Sequence, residues 1–300
     1  MREKVNGFVG VMAVAILCMV SGLCMVWGIA PVVLAVYVAA CAVCGRYMIT
    51  CIGCAAGVAA GSMGIAGLLH ADEYMIPGPV YSGVMVTEKY LVLLGLAMCL
   101  MKIVYSRNSR SYVRVIVVMS AAVLMGNIVV YADNMLMAAA YGVVEAAIFM
   151  CASVILKPGI GLLYTYICGD ASDVERDESW NVSQGIVSLM ALAAVVLWVV
   201  PGEDIYSVNP AFMLALVLIL YAVYRTGAVY GCGMAAVAGS IVSVKLNDSR
   251  WLMWMLLVTL VMLIGRALTG RRKVSASLFY VLGCVLASVA DGTVLWNGSG

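Results

Sequence analysis

Long apolar runs that follow one another with only short polar breaks constrain this chain more than any other feature of its sequence. Bounded by charges, prolines or polar clusters, they give candidate helices at 7–27, 29–45, 47–69, 89–105, 112–131, 134–156, 183–200, 210–224, 226–244, 251–268 and 274–290. A helix of about 20 apolar residues crosses the hydrocarbon core of a bilayer. In lipid every backbone N–H and C=O must be satisfied within the protein, which leaves helices or closed barrels. The runs lack the two-residue alternation of barrel strands. The fold class read from the sequence is therefore all-α: a polytopic helical membrane protein with about ten to eleven transmembrane helices and a cytoplasmic N-terminus. The runs at 29–45 and 210–224 are short, so steep, interfacial and re-entrant placements stay open for both. Residues 1–300 read as one multi-span membrane domain with no soluble domain.

Composition closes off other classes. The chain is 65% hydrophobic and 11% charged, with mean hydropathy +1.09, against about 45–50% and 25% in ordinary globular domains. The longest stretch without a span-length run, around 157–182, is too short to bury a core of its own. A net charge of +2 gives nucleic-acid binding no support. The 11 cysteines fall almost entirely within apolar runs, where free Cys behaves as a small hydrophobe, and no disulfide framework is implied. Met1-Arg2-Glu3-Lys4 before an apolar run from Gly7 looks like a signal peptide. No Ala-x-Ala-like site follows, so it reads as an uncleaved first span.

Charge placement sets the expected orientation. With the N-terminus inside and every run crossing, all of the 17 Lys and Arg residues except Lys89, Lys245 and Arg250 fall on the cytoplasmic side. His70, Asp72, Glu73, Asp204 and Asp248 fall outside, as the positive-inside rule requires. Gly300 is then also outside. The acidic segment Asp170, Asp173, Glu175, Asp177 and Glu178 occupies the longest cytoplasmic loop and reads as a solvated loop.

Several residues stand out against this background. Gly53, Gly57 and Gly61 recur every four residues, as do Gly227, Gly231, Ala235 and Gly239; each set predicts a flat stripe on one helix face where a neighbour packs closely. Glu145 lies in the middle of an apolar run, where a charge costs roughly 2.5 kcal/mol or more unless paired, protonated or facing water. It is either a functional group or a structural carboxyl bonded to another helix. Arg225 interrupts the apolar stretch 211–244 and is either its charge partner or the mark of a tight cytoplasmic turn. Cys41-x-x-Cys44 and Cys51-x-x-Cys54 straddle a turn and have tetrathiolate spacing, although Ala/Gly/Cys-rich helix packing also explains them. His70 has no second histidine to work with, and Asp291-Gly292 is a lone dipeptide. No paired-aspartate metal site, phosphate loop or nucleophile elbow is present. No catalytic, cofactor or metal residue is assigned.

Ile29-Ala30-Pro31 after the first span, Ala138 to Phe149 (AAAYGVVEAAIF), Gly227-Ala-Val-Tyr-Gly-Cys-Gly233 with Gly239, and Gly270-Arg-Arg-Lys273 before a last apolar helix occur in order along most of the chain. Together they resemble the N-terminal membrane region of stage II sporulation protein E, the membrane-bound phosphatase of endospore-forming bacteria. The resemblance implies a cell-membrane protein that self-associates and meets cell-division proteins at the asymmetric sporulation septum. It further implies a C-terminal manganese-dependent PP2C-type serine phosphatase domain that dephosphorylates an anti-anti-sigma factor and so activates the forespore sigma factor. That domain has no counterpart in these residues, so manganese is implied only for it, and the chain is expected to be the truncated membrane half. Eleven crossings would leave Gly300 outside, whereas a cytosolic phosphatase needs one more span. The alternative reading is a small-molecule transporter or its membrane subunit, with Glu145, Arg225 and the glycine stripes around a midplane site.

Overall fold

The computed structural model describes residues 2–23, 31–61, 83–103, 109–132, 134–168, 182–200, 209–269 and 273–290. The described residues form eleven helices: α1 (Arg2–Leu23), α2 (Pro31–Cys44), α3 (Tyr47–Ala60), α4 (Gly83–Ile103), α5 (Ser109–Val130), α6 (Met135–Cys168), α7 (Val182–Val199), α8 (Pro210–Arg225), α9 (Ala228–Lys245), α10 (Arg250–Thr269) and α11 (Lys273–Ala290). No strand occurs among them. The chain divides into two compact units, Met1–Val199 and Val200–Gly300.

Helix order follows the apolar runs one for one, but length does not. Among the described residues four helical stretches, Arg110–Val130, Met135–Ile167, Ala228–Lys245 and Arg250–Thr269, are long and apolar enough to cross a membrane. That is fewer than the ten to eleven expected. The 14 residues of α2 or α3 rise about 21 Å, short of a core about 30 Å thick. α3 stops at Ala60, and residues 62–69 of its predicted run lie outside the described residues.

Two boundaries move outward furthest. α4 begins at Gly83 rather than 89, which brings Lys89 inside the helix. α6 continues through Lys157 and Pro158 to Cys168, twelve residues past the predicted end at 156. Proline removes one backbone donor and crowds the preceding turn, a defect that packed helices tolerate when neighbours re-satisfy the backbone. Here the Gly159 N–H donates to Ser188 Oγ on α7. Lys157 does not end the helix because its ammonium lies over the Tyr112 ring, 4.6 Å from the centroid, and its stem covers apolar surface.

In the first unit α2 is the central element. Val33 to Cys41 are all fully buried, and α1, α3, α4 and α6 pack around them. A helix that is apolar on every side belongs in a core, so the interfacial placement left open for 29–45 does not apply to this helix. Tyr37, Tyr90, Met101, Met119, Phe149 and Ile160 complete that core. In the second unit α8 starts on Asn209, whose side chain accepts from Phe212 N at 2.9 Å, with Pro210 at the first helical position; this is the standard N-terminal signal. α9, α10 and α11 then pack in sequence as antiparallel neighbours, and Phe212 meets Trp251 edge-on at 4.8 Å.

Candidate functional site

Three helices of the first unit converge on Glu145. Lys89 Nζ approaches Glu145 Oε2 at 2.8 Å from α4. The Tyr90 hydroxyl donates to the same oxygen at 3.0 Å, and Asn127 Nδ2 donates to it from α5 at 2.7 Å. Asn127 Oδ1 accepts from Lys89 Nζ at 3.1 Å, while Nδ2 also reaches Val123 O one turn back. The Lys89 ammonium lies 4.7 Å from the Tyr90 ring centroid. Lys89 is 4% exposed at its side chain and Glu145 19%.

Local sequence explains the geometry. Lys89 needs room for its stem beside α5, and Gly126 provides it: a Cβ there would sit 3.2 Å from Lys89 Cγ and 3.3 Å from Cδ. Asn134 opens α6 by accepting from Met137 N, and Tyr131 stacks on Tyr141 at 5.3 Å, which fixes the α5–α6 turn about three helical turns from Glu145. A buried charge is tolerated when it is paired and its remaining hydrogen-bonding capacity is used. The cluster fulfils this with one cation, one carboxylate, one amide and one hydroxyl. Because these side chains bond to one another across α4, α5 and α6, the cluster clamps three helices.

Sequence reasoning found Glu145 and missed Lys89, Tyr90 and Asn127. The sequence places Lys89 at the outside end of a span because the charges Glu88 and Lys89 look like a boundary. The available signal was that a carboxylate in an apolar run needs a cation, and Lys89 is one of the three basic residues that fit the charge rule worst. Arg225, the partner suggested by charge alone, is exposed at the last residue of α8, where Thr226 and Gly227 (φ +110) turn the chain into α9.

The small-residue stripes divide their work. Gly53 and Gly57 face α1: a Cβ at Gly53 would lie 2.7 Å from Ala15 O, and one at Gly57 would lie 2.1 Å from Met19 O and 3.0 Å from Gly22 Cα. Gly61 is buried at the end of α3. In the second set, Gly227 caps α9 and is not inside it. Gly231 faces Val223 of α8, Ala235 is buried, and Gly239 faces Leu252 of α10. Eight residues rotate a helix by about 80° beyond two full turns, so Gly231 and Gly239 serve two neighbours where a single stripe was expected.

Cys41 Sγ lies 3.1 Å from Thr50 Oγ1, and Cys54 Sγ points to Val33 O at 3.9 Å. Among the described residues no three His, Cys, Asp or Glu side chains gather as a metal group. His70, Asp72, Glu73, Asp204, the acidic segment 170–178, Gly270 to Arg272 and Asp291-Gly292 lie outside the described residues. No family model, curated protein or solved structure matches the chain.

Proposed function

We propose that the chain is the membrane anchor and assembly region of a stage II sporulation protein E-like protein. In this reading its helices cross the bacterial cell membrane with the N-terminus inside, and it self-associates at the asymmetric septum. The phosphatase domain that would act on an anti-anti-sigma factor, with its manganese, belongs to the longer protein. The observation that carries the anchor reading is the closure of the polar cluster: every donor converges on Glu145 Oε2, and the charges neutralise each other. Such an arrangement stores its polar groups in helix assembly. The sporulation assignment rests on the ordered sequence resemblance.

Lys89 gives the transporter alternative the second buried ionisable group that the sequence reading lacked. A transport site also needs space for substrate. Two grooves, of about 380 Å³ beside Pro158 and Gln184 and about 620 Å³ beside Trp254 and Leu257, are lined by no member of the cluster.

In a sporulating host, a fluorescent fusion of the chain is expected to concentrate at the polar septum. Uniform membrane fluorescence through septation would remove the septal assignment. The crossing pattern has its own test. In a cysteine-free background, cysteines introduced at 110 and 204 should label from opposite sides of the membrane, 110 from the cytoplasm. Labelling of both from one side would refute it.

A further inference from the structure

The helix ends of the second unit differ in charge. α8 ends at Arg225, turns at Thr226–Gly227 and returns as α9. α10 comes back to the same end, where Arg266 Nη1 donates to the Val223 carbonyl in the last turn of α8. At the opposite end, Arg250 has Asp248 beside it at 3.8 Å, and Lys245 is buried and donates to the Val200 carbonyl. Among the described residues at the end shared by α8, α9 and α10, the stretches 224–230 and 263–269 contain no Asp or Glu.

We propose that this end is a docking surface for the phosphate headgroups of anionic phospholipids, with Arg225 and Arg266 as the phosphate-binding side chains. Arg225 is exposed. Arg266 lies across the turn, its Nη1 3.5 Å from where a Cβ on Gly227 would stand, so the absence of a side chain at 227 leaves the guanidinium beside the turn that Arg225 leads into. A guanidinium fork matches phosphate oxygens in bidentate geometry. Exposed apolar side chains stand at the same helix ends: Val229 is 80% exposed and Leu268 73%. A soluble phosphate has no use for exposed Val and Leu, whereas a phospholipid offers a headgroup to the cations and acyl chain to the apolar rim. Basic side chains at the edge of membrane helices bind anionic headgroups in this manner. The inference rests on the membrane reading of the helices and is independent of the sporulation assignment.

The test reconstitutes the chain in phosphatidylcholine bilayers and measures its thermal midpoint with and without added phosphatidylglycerol. The midpoint is expected to rise by several degrees with phosphatidylglycerol, and the double variant Arg225→Gln/Arg266→Gln should lose most of that rise. Arg266→Gln also removes a bond to α8, so Arg225→Gln, which breaks no such bond, is scored alone and should lower the rise by about half. Arg250→Gln at the opposite end should keep it. No rise in the wild type, or an equal rise in all variants, overturns the proposal. An equal rise from inorganic phosphate in phosphatidylcholine alone overturns the lipid in favour of a soluble anion. Failure to enter any bilayer removes the membrane reading and the proposal with it.

Discussion

Glu145→Leu is expected to destabilise the first unit by about 3 kcal/mol, on the scale of breaking a buried ion pair from one side. The Lys89 ammonium would be left, 4% exposed, with Asn127 Oδ1 as its remaining hydrogen-bond acceptor within the cluster. Glu145→Gln should cost less, because its amide oxygen can still accept from Lys89 and Tyr90. Lys89→Met should also cost less than Glu145→Leu. The carboxylate it leaves behind is more exposed than the ammonium and retains the Tyr90 and Asn127 donors. Removing both charges as Lys89→Met/Glu145→Leu should recover much of the loss, since an apolar pair of similar volume often replaces a buried ion pair without penalty. Denaturant unfolding in detergent, analysed as a double-mutant cycle, measures the coupling. Additive single-variant effects would show that the two side chains do not act as a pair. Gly126→Val provides an independent route, since it crowds the Lys89 stem and leaves both charges in place.

Gly57→Leu should be at least as damaging as any single change in the polar cluster. Even the first added carbon would stand 2.1 Å from Met19 O and 3.0 Å from Gly22 Cα, both backbone atoms of α1. Side-chain rearrangement cannot relieve a backbone clash, so α1 and α3 must separate. Overpacking costs about 1–3 kcal/mol even where side chains can adjust, and at this contact the upper end is the expectation. Gly231→Leu should be milder, because its first obstacle is the Val223 Cγ2 methyl at 2.6 Å, which a rotamer change can move. Thermal unfolding in detergent with matched expression would rank the two. Equal midpoints for Gly57→Leu and the wild type would show that the α1–α3 contact is not as close as described.

Helix order was legible in the sequence because apolar runs are long-range signals that each breaker interrupts clearly. Pro210 after Asn209 marked its boundary directly, and Arg225 marked the α8–α9 turn. Boundaries failed where a charge did not end a helix. Lys89 and Lys157 both looked like borders, and each is held inside a helix by a partner from a different one, Glu145 in the first case and the Tyr112 ring in the second. Such partners are 56 and 45 residues away in sequence, beyond any local pattern. The same distance hid the energetics of Glu145. As a lone polar group it falls on the scale of an intramembrane hydrogen bond, about 1 kcal/mol; only its pairing with Lys89 raises that estimate. Gly53 and Gly57 were visible as a repeat, but the helix they face depends on assembly and not on spacing.

At 34 residues, α6 rises about 51 Å, while the whole bilayer with both headgroup layers measures about 40–45 Å. Even a tilt of about 40°, the upper end of the observed range, would leave it longer than the hydrocarbon. A crossing by α6 therefore carries its far end clear of the acyl chains like a mast. The apolar side chains on that upper section need shelter from water, and Leu162, still 38% exposed, finds part of it against Gly185 of α7.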